Sequence, residues 1–253
     1  MGAGDELMAA GEARRAQMSD PRKVAILDKH GQARWHAIWE GNLRIATPEE
    51  VHAGADVQTI VNGSSVRPYL RAESNRVQFY YTDFRATPGE LYLSDAEKAF
   101  ARQCKGAIVI EPNLKTGAPR TKDWGWENWK RLASLLADLP LVQLGPDGTR
   151  VLRNVRHVVT RDARQGAGAL SGARAAVLPE GFLHHACAAL GIPAVVIFGG
   201  YISPKTTGYD AHVNLFTGGE ACGMRGACPH CVAAMRAISP ERVATALREL
   251  LRA

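Results

Sequence analysis

The sequence predicts an α/β protein made of two Rossmann-like units facing a cleft, a reduced one over residues 1–104 and a complete one over 105–253. Three observations carry this reading. From about residue 105 onward, short apolar runs alternate with amphipathic or Gly/Ala-rich helical segments, the pattern of a parallel, doubly wound sheet. The chain has 253 residues, 46% of them hydrophobic and 22% charged, ordinary globular values that leave room for two cores and exclude a fibrous or wholly disordered chain. The chain also opens on "MGAGDELMAAGEARRA", a glycine-rich turn running straight into a helix, a device of nucleotide-binding proteins that is usually fed by a buried strand.

Taken in order, residues 5–17 form the first helix, with Leu7, Met8 and Ala9 apolar and Arg14 and Arg15 near its carboxyl end, as the macrodipole favours. "KVAILD" (23–28) is a strand and "RWHAIWEGN" (34–42) a short aromatic segment stopped by Gly41 and Asn42. Between 43 and 95 the pattern is weaker, with "DVQTIVNG" and "RVQFYYTDF" as strands punctuated by Gly63, Pro68, Pro88 and Gly89. "LSDAEKAFARQC" (93–104) is a helix with Ser94 as N-cap.

The regular part follows. "GAIVIEP" (106–112), "LVQLG" (141–145), "RHVVT" (156–160), "AAVLP" (175–179), "AVVIFGG" (194–200) and "HVNLF" (212–216) are strands. Helices lie at 126–139, with Trp129, Leu132, Leu135 and Leu136 on one face, at 163–172, and at 182–191, closed by Gly191. "SPERVATALRELLRA" (239–253) is a last helix with Ser239 as N-cap and Pro240 at its first position, a candidate to return onto the first unit.

Ligands of such sheets sit beyond the carboxyl ends of the strands, so the loops there hold the candidate chemistry. "EPNLKTGAPRTKDWGWENW" (111–129) offers Asn113, Lys115, Arg120 and Lys122 to an anion, with Trp124, Trp126 and Trp129 ordering the loop; a solvated basic loop is the plainer alternative. "LPEGFLHHACAALG" (178–191) places Glu180 and Gly181 at a helix start whose amides suit a diphosphate, the carboxylate accepting sugar or ribose hydroxyls. The plainer alternative is a helix cap followed by two partly buried histidines.

A net charge of +6 favours anionic partners, although the basic residues are dispersed in pairs, the pattern of a solvated surface more than of a nucleic-acid face. No basic start with an apolar middle marks a signal peptide, and the longest apolar stretch, 184–200, is broken by Gly191 and Pro193, so a cytoplasmic protein with no transmembrane segment is expected. Five cysteines then suggest thiols or metal ligands rather than a disulfide framework. "CGMRGACPHC" (222–231) brings Cys222, Cys228 and Cys231 close in sequence. A structural zinc there would need a fourth ligand from His230, His212 or Cys104, and reduced, packed cysteines are the favoured reading.

"PEGFLHHACAALGIPAVVIFGG", "KDWGWENWKRLASLL" and "CPHCVAAMRAISPERV" together resemble the donor-side motifs of glycosyltransferase family 9, which includes the ADP-heptose lipopolysaccharide heptosyltransferases, and "GAGDELMAAGEARRA" resembles its amino-terminal Gly-Asp helix. The resemblance covers most of 105–245 and little more than 2–16 of the first hundred residues. It implies the glycosyltransferase B-type fold and metal-independent, inverting transfer from a nucleotide-sugar donor, with no cofactor. By the same resemblance Asp5 is the general base, Lys122 holds the leaving diphosphate, Glu180 and Gly181 are the acidic-Gly pair, and His185 is the family histidine, with His184 as alternative. Asn113, Lys115, Gly145 and Phe182 complete the expected donor-binding set. Two departures, a first domain much shorter than the family's and no strand ahead of the Gly-Asp loop, leave the acceptor open between a surface glycan and a hydroxylated base in DNA. A non-transferring nucleotide-binding Rossmann protein is the alternative from another functional class.

Overall fold

The computed structural model describes residues 2–63, 66–114, 120–226 and 228–253. Helix α1 (Ala3–Ala16) begins inside the glycine-rich turn and buries Leu7, Met8, Ala9, Ala10 and Ala13. Strand β1 (Val24–Leu27) pairs in parallel with β2 (Gln58–Val61), joined through the short helix α2 (Pro48–His52), which carries a reciprocal cap between Thr47 and Glu50. Among the described residues these two strands are the whole of the smaller sheet. Helix α3 (Asp95–Phe100), capped by Ser94, tightens into a 3-10 turn over Ala101–Cys104.

The larger sheet is built from β3 (Ile108–Ile110), β4 (Leu141–Gly145), β5 (Arg156–Val159), β6 (Ala175–Pro179), β7 (Ala194–Phe198) and β8 (Val213–Phe216), in the order β5-β4-β3-β6-β7-β8 and parallel throughout. Counted from β3, this is the 3-2-1-4-5-6 order of doubly wound nucleotide-binding sheets, and its switch point falls between β3 and β6. The central strands are buried on both faces, which is why they read as unbroken apolar runs.

Helices α4 (Trp126–Leu135), α5 (Ala163–Leu170) and α6 (Phe182–Leu190) follow β3, β4–β5 and β6 in turn; α7 (Pro204–Thr207), α8 (Pro229–Arg236) and α9 (Pro240–Leu250) complete the chain. One apolar core joins α1, the small sheet, α5 and α6; a second lies under α4 and α9 on the other face of the large sheet. Trp124 and Trp129 meet edge to face at 5.0 Å in that second core, where the Trp124 indole N–H donates to the Ile238 carbonyl at 2.7 Å.

Two expectations are corrected, and one helix is new. Residues 76–84 form no strand: Gln78 and Tyr81 make isolated bridges to Met224 and Leu70, because Ser74 and Asn75 side chains turn the backbone and take its hydrogen bonds. The last helix does not return to the first unit. Val243, Ala244, Ala246 and Leu247 lay α9 against Trp129, Leu132 and Leu136 of the α4 region, where an apolar face was waiting. The cysteine loop is partly helical, since Cys228 is the N-cap and Pro229 the first residue of α8, which brings Cys231 onto its first turn.

Candidate functional site

A cavity of about 370 Å³ opens outside the carboxyl ends of β3 and β6, at the switch point, and the amino terminus of α1 forms its opposite wall. Gly4 explains the close approach of α1. A Cβ there would lie 2.9 Å from His185 Cδ2 and 3.3 Å from Phe182 Cα, so only glycine lets α1 touch the first turn of α6.

Asp5 enters the cavity from the first turn of α1. Its Oδ2 accepts from the Gly2 backbone N–H at 3.2 Å and lies 3.3 Å from the Arg67 guanidinium; its Oδ1 accepts from the Tyr69 hydroxyl at 2.7 Å. The carboxylate is therefore at once a helix cap and a fixed, cavity-facing group.

On the opposite side, Lys122 forms an ion pair with Glu180, and Glu180 Oε1 stands 3.7 Å from His185 Nε2. The two partners expose 18% and 7% of their side chains, so the pair is largely withdrawn from water. Burial on its own would raise the Glu180 carboxyl, but Lys122, helped by His185, holds it well below the usual carboxylate range. Burial likewise works against the Lys122 ammonium, and Glu180 more than compensates. The ammonium also stands 5.4 Å from the centroid of the Tyr201 ring. His185 is oriented by a 2.8 Å hydrogen bond between its Nδ1 and the Tyr209 hydroxyl.

Gly181, Phe182, Asn113, Lys122, Glu180, His185 and Asp5 thus line one cavity. Gly145 does not: it ends β4, one strand away from the switch point, where its carbonyl accepts from the Thr160 N–H. Lys115 lies outside the described residues. His184 points away from the cavity into a buried stack with Phe198, Tyr209 and His212, and burial holds it neutral. Lys122 supplies the positive charge facing Glu180, so the Glu180, His184 and His185 group is a poor seat for a cation.

Several lining residues carried no sequence signal: Arg67, Tyr69, Phe79, Glu111, Tyr201 and Arg225. Of these, Glu111 was the most accessible to inference, because it follows β3 as Glu180 follows β6 and the two strands are neighbours. Its Oε1 accepts from the Asn113 N–H at 2.8 Å, and burial, only partly opposed by that bond, pushes the carboxyl up to about 8.

Beside this cavity, Cys222, Cys228, Cys231 and His230 place one ligand atom each within 4.8 Å of one another. The Cys222 sulfur lies 3.4 Å from that of Cys231 and 3.8 Å from that of Cys228, too long for disulfides and close to the ~3.8 Å separation that tetrahedral ligation with ~2.3 Å metal–sulfur bonds requires. His230 Nε2 sits 2.7 Å from the Gly218 carbonyl, the outer contact by which a ligating histidine fixes its ring and leaves Nδ1 for a metal. The donor set fits a four-coordinate metal, with His230 rather than His212 or Cys104 as the fourth residue. His212 belongs to the buried histidine stack, and Cys104 to the core beneath α3.

No family model and no curated protein sequence matches the chain. Among solved structures, a glycosyl transferase family 9 protein from Veillonella parvula DSM 2008 aligns with 100% of this chain and 95% of its own, at 13% identity and a TM-score of 0.66. TibC, an iron-containing dodecameric glycosyltransferase from enterotoxigenic E. coli H10407, aligns with 100% of this chain and 74% of its own at 15% identity and a TM-score of 0.68. The E. coli ADP-heptose lipopolysaccharide heptosyltransferase II aligns over 65% of this chain at 20% identity and a TM-score of 0.50, and the match spans 54% of that enzyme. Among the described residues no helix is long and apolar enough to cross a membrane. The sheet order, the parallel strands and these alignments give the chain the glycosyltransferase B-type fold seen in family 9 structures.

Proposed function

We propose that the protein is an inverting glycosyltransferase that moves a sugar from a nucleotide-sugar donor to an acceptor hydroxyl. The observation that carries this reading is the convergence, in one cavity, of a fixed carboxylate on α1 and a buried Lys–Glu pair at the switch point. Transfer needs a base for the acceptor proton and cationic or amide groups for the departing diphosphate, and the two walls offer one each. Asp5 removes the hydroxyl proton as the acceptor oxygen attacks the anomeric carbon from the face opposite the diphosphate. Lys122 still has ammonium protons to give, and the first-turn amides of α6 face the same space, so together they take the charge that develops on the leaving group. Glu180 holds Lys122 in place and accepts from donor hydroxyls. An adenosine diphosphate sugar is the donor to try first, because one of the structurally similar enzymes carries ADP-heptose in its name; a glycan hydroxyl is the proposed acceptor.

The cysteine–histidine tetrad holds a structural zinc or iron ion in this reading. Four protein ligands close a tetrahedral site, so the ion would contribute folding energy and loop order and leave the transfer itself to side chains. The decisive experiment is a thermal-shift and turnover screen over ADP-, GDP-, UDP- and CMP-sugars. Binding with release of nucleoside diphosphate supports a transferase; binding without turnover for any donor and acceptor tried makes the chain a nucleotide-binding module.

A further inference from the structure

Two of the cations lining the cavity are paired with carboxylates, and the third carboxyl, Glu111, is pushed up to about 8 by burial and so mostly keeps its proton near neutral pH. Lys122 is matched by Glu180, and Arg67 by Asp5. Arg225 lines the same cavity and, among the described residues, has no carboxylate within ion-pair distance. Its guanidinium lies 4.6 Å from the centroid of the Phe79 ring and spends one hydrogen bond, from Nη1 to the Asn75 carbonyl at 3.3 Å, so most of its donors are free. A stacked, exposed guanidinium with unused donors at the mouth of a cleft is suited to a bidentate grip on a phosphate or carboxylate.

The backbone beneath Arg225 is tied down on two sides. Towards residues 75–79, the Arg225 N–H donates to Val77 at 2.9 Å, the Phe79 N–H to Gly223 at 2.8 Å, and the Gln78 side chain to the Cys222 carbonyl at 2.6 Å. Gly223 has φ +67°, and a Cβ there would fall 1.9 Å from the Phe79 carbonyl oxygen, so this lap of two segments depends on glycine. Towards the large sheet, the Cys222 and Gly223 N–H groups donate to Gly200 and Tyr201, directly beside the sulfurs of Cys228 and Cys231.

We infer that Arg225 is an oxyanion-binding arm of the cleft, and that the Cys222, Cys228, Cys231 and His230 tetrad, once it holds a metal, fixes the loop that aims it. The inference rests on the nucleotide-sugar reading of the cavity only for the identity of the ligand; its chemistry is a phosphate-type oxyanion, supplied either by the donor diphosphate or by an anionic group on the acceptor.

Calorimetry with the full chain tests it, using pyrophosphate, ADP, and inorganic phosphate added to ADP-saturated protein. Charge-assisted hydrogen bonds of this kind lead us to expect that Arg225→Ala weakens oxyanion binding about tenfold or more, with a shallower salt dependence, and that Arg225→Lys restores only part of it. Parallel losses for pyrophosphate and ADP assign the arm to the donor; an intact ADP affinity with weakened phosphate binding assigns it to the acceptor. Unchanged affinity for all three overturns the proposal. Metal analysis should find one equivalent of zinc or iron per chain. Chelation, or Cys228→Ser where that variant folds, should reproduce the Arg225→Ala loss and add nothing to it. Metal-free protein with full oxyanion affinity would sever the arm from the tetrad. Pyrophosphate binding that depends on Arg225 in a protein accepting no nucleotide sugar would leave this inference standing and remove the transferase reading.

Discussion

The Tyr69 hydroxyl donates a 2.7 Å hydrogen bond to Asp5 Oδ1, so a residue of the loop after the small sheet fixes a carboxylate that the first helix carries to the cleft. Sixty-four positions separate the two in sequence. The bond decides which Asp5 lone pairs are left open for the proposed acceptor hydroxyl, since Oδ2 already faces Gly2 and Arg67.

Replacing Asp5 by Asn keeps the size and most of the cap but removes the proposed base. Turnover should fall by a factor on the order of 10² to 10⁴, with donor affinity nearly unchanged. Tyr69→Phe should lower kcat about tenfold at unaltered donor affinity, the cost of a lost hydrogen bond to a charged group. Steady-state kinetics beside donor-binding calorimetry separates these effects, and wild-type turnover in the Asn variant would remove Asp5 from the mechanism.

The Lys122–Glu180 pair makes a stability prediction as well as a functional one. Either Glu180→Gln or Lys122→Met strands one buried charge, and unfolding free energy should drop by about 3–5 kcal/mol. The double variant Lys122→Met with Glu180→Leu should recover much of that loss while donor binding stays absent. Denaturant titration of the three proteins checks the pattern; a double variant no more stable than either single would show that the pair does more than neutralise itself.

Most of the larger sheet could be read from the sequence because its central strands are buried on both faces and announce themselves as continuous apolar runs. Glu180 was legible because it stands just past a strand and ahead of a helix start, whereas Lys122 and His185 were singled out through the family resemblance; all three line the cavity. The wall contributed by 66–93 was not legible. Its backbone is held by distant partners, Thr82 N–H by Tyr69, Ala86 N–H by Thr206 and Phe79 N–H by Gly223, and such pairing leaves no local periodicity. Arg67 and Tyr69 were invisible for the same reason. The cysteine loop was half legible: C-x2-C spacing kept a metal only as the less favoured reading beside reduced thiols, and the fold is what brings Cys222 and His230 to the other two thiols.

Glu111 should make stability depend on pH in the opposite sense to an ordinary ion-paired carboxylate. Burial pushes its folded-state carboxyl up to about 8 from an ordinary value of 4.5, so the folded protein holds this proton more tightly than the unfolded chain. Its contribution is full below about 4.5 and is lost as pH rises towards 8. Glu111→Gln keeps an oxygen for the Asn113 N–H and never ionises. Urea midpoints at acidic pH should therefore be similar for the two proteins, and by pH 9 the variant should be the more stable. A wild-type midpoint that does not fall relative to the variant over this range would show that Glu111 is solvated rather than buried.

Gly4 gives the most local test of how the two walls meet. An alanine there puts a methyl 2.9 Å from His185 Cδ2, against a ring held by Tyr209 and backed by the buried histidine stack, and beside the Phe182 backbone. Neither neighbour is the free end of a flexible chain, so α1 must retreat, and Asp5 moves with it. Overpacking of this kind costs about 1–3 kcal/mol. The catalytic consequence should be larger than the loss of stability, because a small displacement of a base from its hydroxyl is expensive in rate. Gly4→Ala should therefore lower kcat much more than it weakens donor binding, whereas Gly31→Ala, where the added Cβ meets nothing within 4 Å, should leave kcat unaltered despite the strain of φ +79°. Equal kcat in both variants would mean that the contact between α1 and α6 does not set the position of Asp5.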